Sequence, residues 1–183
     1  MSSDLLPPSI DDTSKRQIGT RNVRGLNHGG ARTSMFIRDF APLVTDEPLH
    51  RNGTDTAQTP LEMVLGALIG CKGATVFYVA EAMRFAYAGF AANGASVVDL
   101  RGPRGVPGIR PYFESVTLEL VVFSDESDER FAKLVKNVEF RCPVANLLKS
   151  ADVDLTVRWT RRSAADAPPQ GADARTLEGV GPW

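Results

Sequence analysis

Two cysteines, Cys71 and Cys142, are the residues best suited to chemistry in this 183-residue chain. Cys142 lies in "EFRCPVANLL", directly before Pro143 and an apolar run that reads as a helix. Unpaired N–H groups and the helix dipole at such a start favour a thiolate, the reactive form of cysteine. Cys71 lies in "LEMVLGALIGCKGATV", among Ile69, Ala74 and Val76. Desolvation there raises a thiol's pKa, so an active thiol at that place requires a cation nearby. Taken singly, each cysteine reads equally well as a small buried hydrophobe. Two cysteines are too few for a secreted disulfide scaffold, and neither C-x-x-C nor C-x-x-H spacing is present to suggest zinc. If the two pair, the pairing belongs to redox chemistry rather than to stapling.

Other polar motifs carry less. His28 and His50 stand in turn-like surroundings without ligand spacing, and "GPRGVPG" lacks the strand-to-helix context of a phosphate loop. Gly66, Gly70 and Gly73, at about 1 kcal/mol each relative to Ala in a helix, suggest a close approach of a ligand or another backbone.

With 21 basic and 22 acidic side chains the formal net charge is -1, which disfavours nucleic acid and acidic lipid as partners. The N-terminus lacks the charged-then-apolar layout of a secretory signal, which points to the cytoplasm. The longest apolar run, Met63 to Ile69, falls far short of the roughly 20 residues of a membrane span. Hydrophobic residues at 43% suffice for one sizeable core. Residues 1–14 and 161–183 read as polar, Pro- and Ala-rich tails around one domain at 15–160, with Leu177, Val180 and Trp183 as anchors for the second tail.

The elements that must hold the cysteines follow from the pattern. "RQIGTRNVRGL" and "ARTSMFIRDFAPLVTD" flank "NHGG", a hairpin signature. "DEPLHRNGTDTAQ" reads as a loop, and "TPLE" as a helix start with Thr59 as N-cap, Pro60 at the first position and Glu62 closing a capping box. The apolar pattern then predicts a helix from Pro60 to about Phe90, roughly 45 Å long and apolar on most faces. So few elements remain to cover it that a second copy is expected to supply part of the cover, making a homodimer. "GASVVDL" and "FESVTLELVVF" read as strands around a Gly/Pro loop. "SDESDERFAKLVKNVEF" and "CPVANLLKSA" read as helices and "DVDLTVRWT" as a closing strand. The expected class is α+β.

"TDEPLHRNGTDTAQTPLEMVLGALIGC", followed some seventy residues later by "VEFRCPVANLL", resembles the OsmC/Ohr family of thiol-dependent peroxidases. The similarity covers about residues 16 to 160. It rests on the Pro-x-Glu helix start, the first Cys inside that helix and Cys-Pro-Val at the second. The resemblance implies an intertwined α+β homodimer with active sites at its interface. It implies a peroxiredoxin-type oxidoreductase in which Cys71 attacks a hydroperoxide and Cys142 resolves the sulfenic acid as a disulfide. No resident cofactor or metal is implied; an external dithiol, of which a lipoyl group is one form, reduces the disulfide.

The same resemblance implies an arginine of the N-terminal hairpin beside the nucleophile. Arg21, Arg24, Arg32 and Arg38 all lie there, with Arg32, just after the reversal, first and Arg24 second. Peroxidase members carry Glu directly after the helix-opening proline; this chain has Leu61 there and Glu62 one position later. That shift turns a side chain by about 100°. Glu62 is therefore a site candidate whose capping role competes with a catalytic one. The alternatives to a peroxidase are a non-catalytic dimer that binds a small apolar molecule and a thiol redox sensor.

Overall fold

The computed structural model describes residues 16–173 and 175. The expected tail at 1–14 and the anchors Leu177, Val180 and Trp183 lie outside the described residues. The chain falls into two compact units, one ending at Ala67 and the other beginning at Leu68.

The first unit holds a three-stranded antiparallel sheet, β1 (Arg24–Asn27), β2 (Thr33–Phe36) and β3 (Leu43–Thr45), in that order. Its hairpin turns where "NHGG" predicts. Gly29 and Gly30 take positive φ, and the Asn27 side chain accepts from the Gly29 N–H and donates to the carbonyls of Gly30 and Arg32. The third strand goes beyond the expected hairpin, because a turn with Arg38 at φ 50° folds the segment back before Leu43. The loop after β3 closes on Asp46. Its carboxylate accepts from the Thr54 and Thr56 amides and hydroxyls, and from the Glu47 N–H. These bonds, the Thr54 hydroxyl first, hold the Asp46 pKa far below the usual carboxylate range.

α1 (Pro60–Met83) opens with the expected capping box: Glu62 Oε2 accepts from the Thr59 N–H at 2.7 Å, and the Glu62 N–H donates to Thr59 Oγ1 at 3.3 Å. It ends seven residues before the expected Phe90, so it is about 36 Å long rather than 45. Arg84, at φ 49°, takes the left-handed position after the last turn. The Phe85 N–H donates to the Ala80 carbonyl and the Arg84 N–H to that of Glu81. This is a Schellman stop with arginine where glycine is usual, which hides it from composition.

The freed residues start the second sheet, β4 (Gly89–Val97), β5 (Ser115–Phe123) and β6 (Asp154–Arg162). β4 pairs with β5 antiparallel, and β5 with β6 parallel. The parallel pair needs a crossover, supplied by α2 (Asp128–Arg141) and α3 (Pro143–Ser150). β4 begins five residues before "GASVVDL", and β6 runs two residues into the expected C-terminal tail.

Val76, Val79 and Ala80 of α1, Phe85, Val122 of β5, and Leu134 and Val138 of α2 form one core cluster, with Trp159 of β6 packed against it. Of the three helix glycines, Gly73 alone has a close neighbour, and it is a side chain rather than the ligand or backbone expected. A Cβ there would stand 2.7 Å from the Phe90 ring, whereas Gly66 and Gly70 meet nothing among the described residues.

α1 is long and apolar enough to cross a bilayer, with mean hydropathy 1.7 in its most apolar stretch, although no uninterrupted run suggested it. One side of it packs in the cluster above, and Lys72 is wholly buried against a carboxylate of α2. Phe77 and Tyr78 stay 49% and 66% exposed.

Candidate functional site

The two cysteines meet. Cys142 Sγ lies 3.4 Å from Cys71 Sγ, and both are free thiols. Cys71 stands about three turns into α1, where Thr75 Oγ1 donates to its carbonyl at 2.7 Å. Cys142 is at once the last cap of α2 and the N-cap of α3, with Pro143 at the first position of α3. Its N–H donates to the Val138 carbonyl, and its own carbonyl accepts from the backbone and side chain of Asn146. Both backbones around the sulfur are thereby fixed, and 71 residues of chain separation close into a sulfur contact.

The pair is asymmetric. Cys142 is fully buried and Cys71 only partly so. Burial pushes the Cys142 thiol up; the Ala145 N–H works against this, the neighbouring Cys71 sulfur adds to it, and the Lys72 charge opposes it. In the sulfur contact Cys142 is the donor and Cys71 the acceptor. Of the two residues, only Cys71 keeps exposed surface.

Beside the thiols lies a polar network that sequence reasoning missed. Lys72, the residue after Cys71, has no exposed surface, and its Nζ donates to Glu139 Oε1 at 2.5 Å. The same oxygen accepts from Trp159 Nε1 at 2.9 Å, and Glu139 Oε2 lies 3.3 Å from Lys149 Nζ. Lys72 Nζ also stands 5.7 Å from the centre of the Trp159 ring. Burial works to raise the Glu139 pKa, but the Lys72 bond and charge, the indole N–H and Lys149 outweigh it, so Glu139 is held below its usual value. The signal was present: a lysine inside an otherwise apolar helix, adjoining the thiol that needed a cation, and a Glu three residues before Cys142.

The other expected residues lie in the first unit. Arg24 is exposed on β1 and, with Arg21, Arg38 and Asp39, lines a cavity of 740 Å³. Arg32 is exposed just after the reversal, outside that lining. Glu62 closes the capping box. His28 sits in the hairpin turn and His50 in a short 3-10 segment, both exposed.

The Pro-x-Glu start of α1, Cys71 inside that helix and Cys142 followed by Pro-Val are the features on which the family resemblance rests. The sequence profile described as OsmC-like protein matches residues 53–158, more than half of the chain. The chain belongs to the OsmC family.

Solved structures of this fold agree. An OsmC-like protein from Mycoplasma pneumoniae superimposes with a TM-score of 0.67 at 19% identity, over 79% of this chain and 99% of its own. An organic hydroperoxide resistance protein OsmC from Legionella pneumophila gives 0.61 at 18%, over 79% and 99%. One from Elizabethkingia anophelis, with thiocyanate bound, gives 0.62 at 12%, over 81% and 100%. At these identities the likeness establishes the α+β fold of this OsmC-family chain. No curated protein matches the sequence.

Proposed function

We propose that this OsmC-family protein is a thiol-dependent hydroperoxide reductase cycling through a Cys71–Cys142 disulfide. The observation that carries the reading is the 3.4 Å contact between the sulfurs of a partly exposed and a buried cysteine. The Cys71 thiolate attacks the O–O bond of a hydroperoxide, taking one oxygen as sulfenic acid while the other leaves, protonated, as alcohol or water. Cys142 displaces that oxygen as water and forms the disulfide. An external dithiol of the lipoyl type then reduces it by exchange, leaving as its own disulfide. Relatives of the same fold named organic hydroperoxide resistance proteins support organic peroxides as substrates.

Arg32, with Arg24 as the alternative, supports the Cys71 thiolate and orients the peroxide; the family resemblance is the ground for this role. The working unit is a homodimer. α1 supports that reading, because only 28% of its most apolar stretch is buried within one chain and Phe77 and Tyr78 stand exposed on it. A pair of free thiols that must be re-reduced suits the cytoplasm. One observation favours the second reading, a non-catalytic dimer that binds a small apolar molecule: the Glu62 carboxylate is engaged in the helix cap.

Turnover separates the two. Purified protein with dihydrolipoamide should consume cumene hydroperoxide and, to a lesser extent, hydrogen peroxide. Cys71→Ser should abolish consumption and Cys142→Ser should stop the cycle after one turnover. Absence of consumption by the native protein overturns the peroxidase reading. Sedimentation should show a dimer, and Tyr78→Glu should weaken it.

A further inference from the structure

Two contacts join α1 to the end of α2 side by side. Cys71 meets Cys142, and the next residue on α1, Lys72, meets Glu139, three residues before Cys142. An ammonium with no exposed surface is expensive to bury even when paired, and a methionine would fill the same space more cheaply. The charge therefore has a use there other than packing. Glu139 is itself held from three sides, by Lys72, by the Trp159 indole and by Lys149. Lys72 is thus fixed in place rather than left to move.

We propose that Lys72, held by Glu139, is a positioning residue for the resolving step: it keeps the α2–α3 junction against α1 and favours the thiolate of Cys142 as that sulfur attacks the sulfenic acid. The inference rests on the dithiol cycle proposed above. In that step the S–H bond of Cys142 and the S–O bond of Cys71 break and the S–S bond forms. Cys142 sulfur is oxidised, Cys71 sulfur is reduced, and the displaced hydroxide leaves as water with the proton from Cys142. The attacking sulfur is buried, so water stabilises its anion poorly; a fixed ammonium does so without moving. The influence of Lys72 on Cys142 runs in this direction. The ionisable groups at this junction, among the described residues, are Cys71 and Lys72 of α1, Glu139 and Arg141 of α2, and Lys149 of α3; β6 presents the neutral indole of Trp159.

The test follows the two steps separately in the full chain after rapid mixing with cumene hydroperoxide. Dimedone trapping reads sulfenic acid at Cys71, and intact mass reads the disulfide. In Lys72→Met, sulfenic acid should form at the native rate and accumulate. Disulfide formation should slow about tenfold, with its pH midpoint moved up by about one unit. Glu139→Gln, which keeps a hydrogen-bonding side chain but removes the anion that fixes Lys72 in place, should slow the same step, and the double variant should be no slower than the worse single one. Should Lys72→Met not fold, Glu139→Gln carries the test alone. Normal disulfide formation in Glu139→Gln, or equal slowing of both steps in Lys72→Met, overturns the inference and leaves the dithiol cycle standing. Failure of the native protein to form either product overturns both.

Discussion

Asp46 and Glu139 are two carboxylates drawn into well-satisfied hydrogen-bond networks, and they are held in opposite ways. Asp46 accepts from amides and hydroxyls no more than ten residues away, all neutral, and ties a single loop. Glu139 accepts from Lys72, Trp159 and Lys149, on three other elements, and two of these donors are cations. A structural knot can be built locally from neutral donors, because nothing but chain geometry has to be fixed. The Glu139 knot gathers distant elements around a buried charge beside two thiols, an expensive arrangement that packing alone does not call for.

The largest expected difference between the two is in stability. Glu139→Ala leaves the Lys72 ammonium buried without its counter-charge and should cost about 3–5 kcal/mol in urea unfolding. A cost close to that of an exposed ion pair, about 0–1 kcal/mol, would remove the distinction drawn here.

Gly73→Ala comes next. The added methyl meets the Phe90 ring in the layer that carries α1, and should cost about 1–3 kcal/mol. Gly70→Ala meets nothing among the described residues and should be neutral or stabilising, by up to about 1 kcal/mol, unless a second copy occupies that flank. Parallel melts of the two variants at several concentrations read the difference.

At Asp46 the expected effect is confined and depends on pH. Its folded pKa is depressed, so its contribution is present above the unfolded value of about 4 and is lost as pH falls through the lower folded value. Asp46→Asn should flatten the acid limb of the stability curve and speed amide exchange at Thr54 and Thr56. It should leave disulfide formation between Cys71 and Cys142 untouched. Equal slowing of that step would contradict the assignment of Asp46 to the loop alone.

The smallest effect belongs to Glu62. Glu62→Gln can keep the cap, so only a few tenths of a kcal/mol should be lost. Unchanged turnover would fix Glu62 as a cap, and lost turnover would return it to the site.

What was legible in the sequence follows the same division between local and distant contacts. The capping box at Thr59 and Glu62, the Asn27 turn and the Cys142–Pro143 helix start are written in adjacent residues and could be read there. The end of α1 was overestimated because Arg84 does a glycine's work in the left-handed position, and composition gives no hint of it. Lys72 was passed over because a lysine in an apolar helix usually lies on its solvent side. Its partner is 67 residues away in the chain, and only the crossover that makes β6 parallel to β5 brings α2 to it. A cation was sought for Cys71 alone, and so among the hairpin arginines and not in the buried Lys72–Glu139 pair beside Cys142.

The central claim is that Cys71 and Cys142 are one redox unit, and a stoichiometric oxidation tests it most directly. Fully reduced protein given one equivalent of cumene hydroperoxide, without reductant, should lose two hydrogens per chain and yield a single cross-linked pair of peptides containing Cys71 and Cys142. Recovery of both thiols with the peroxide unconsumed, or oxygen added to Cys71 with Cys142 still free, would contradict it.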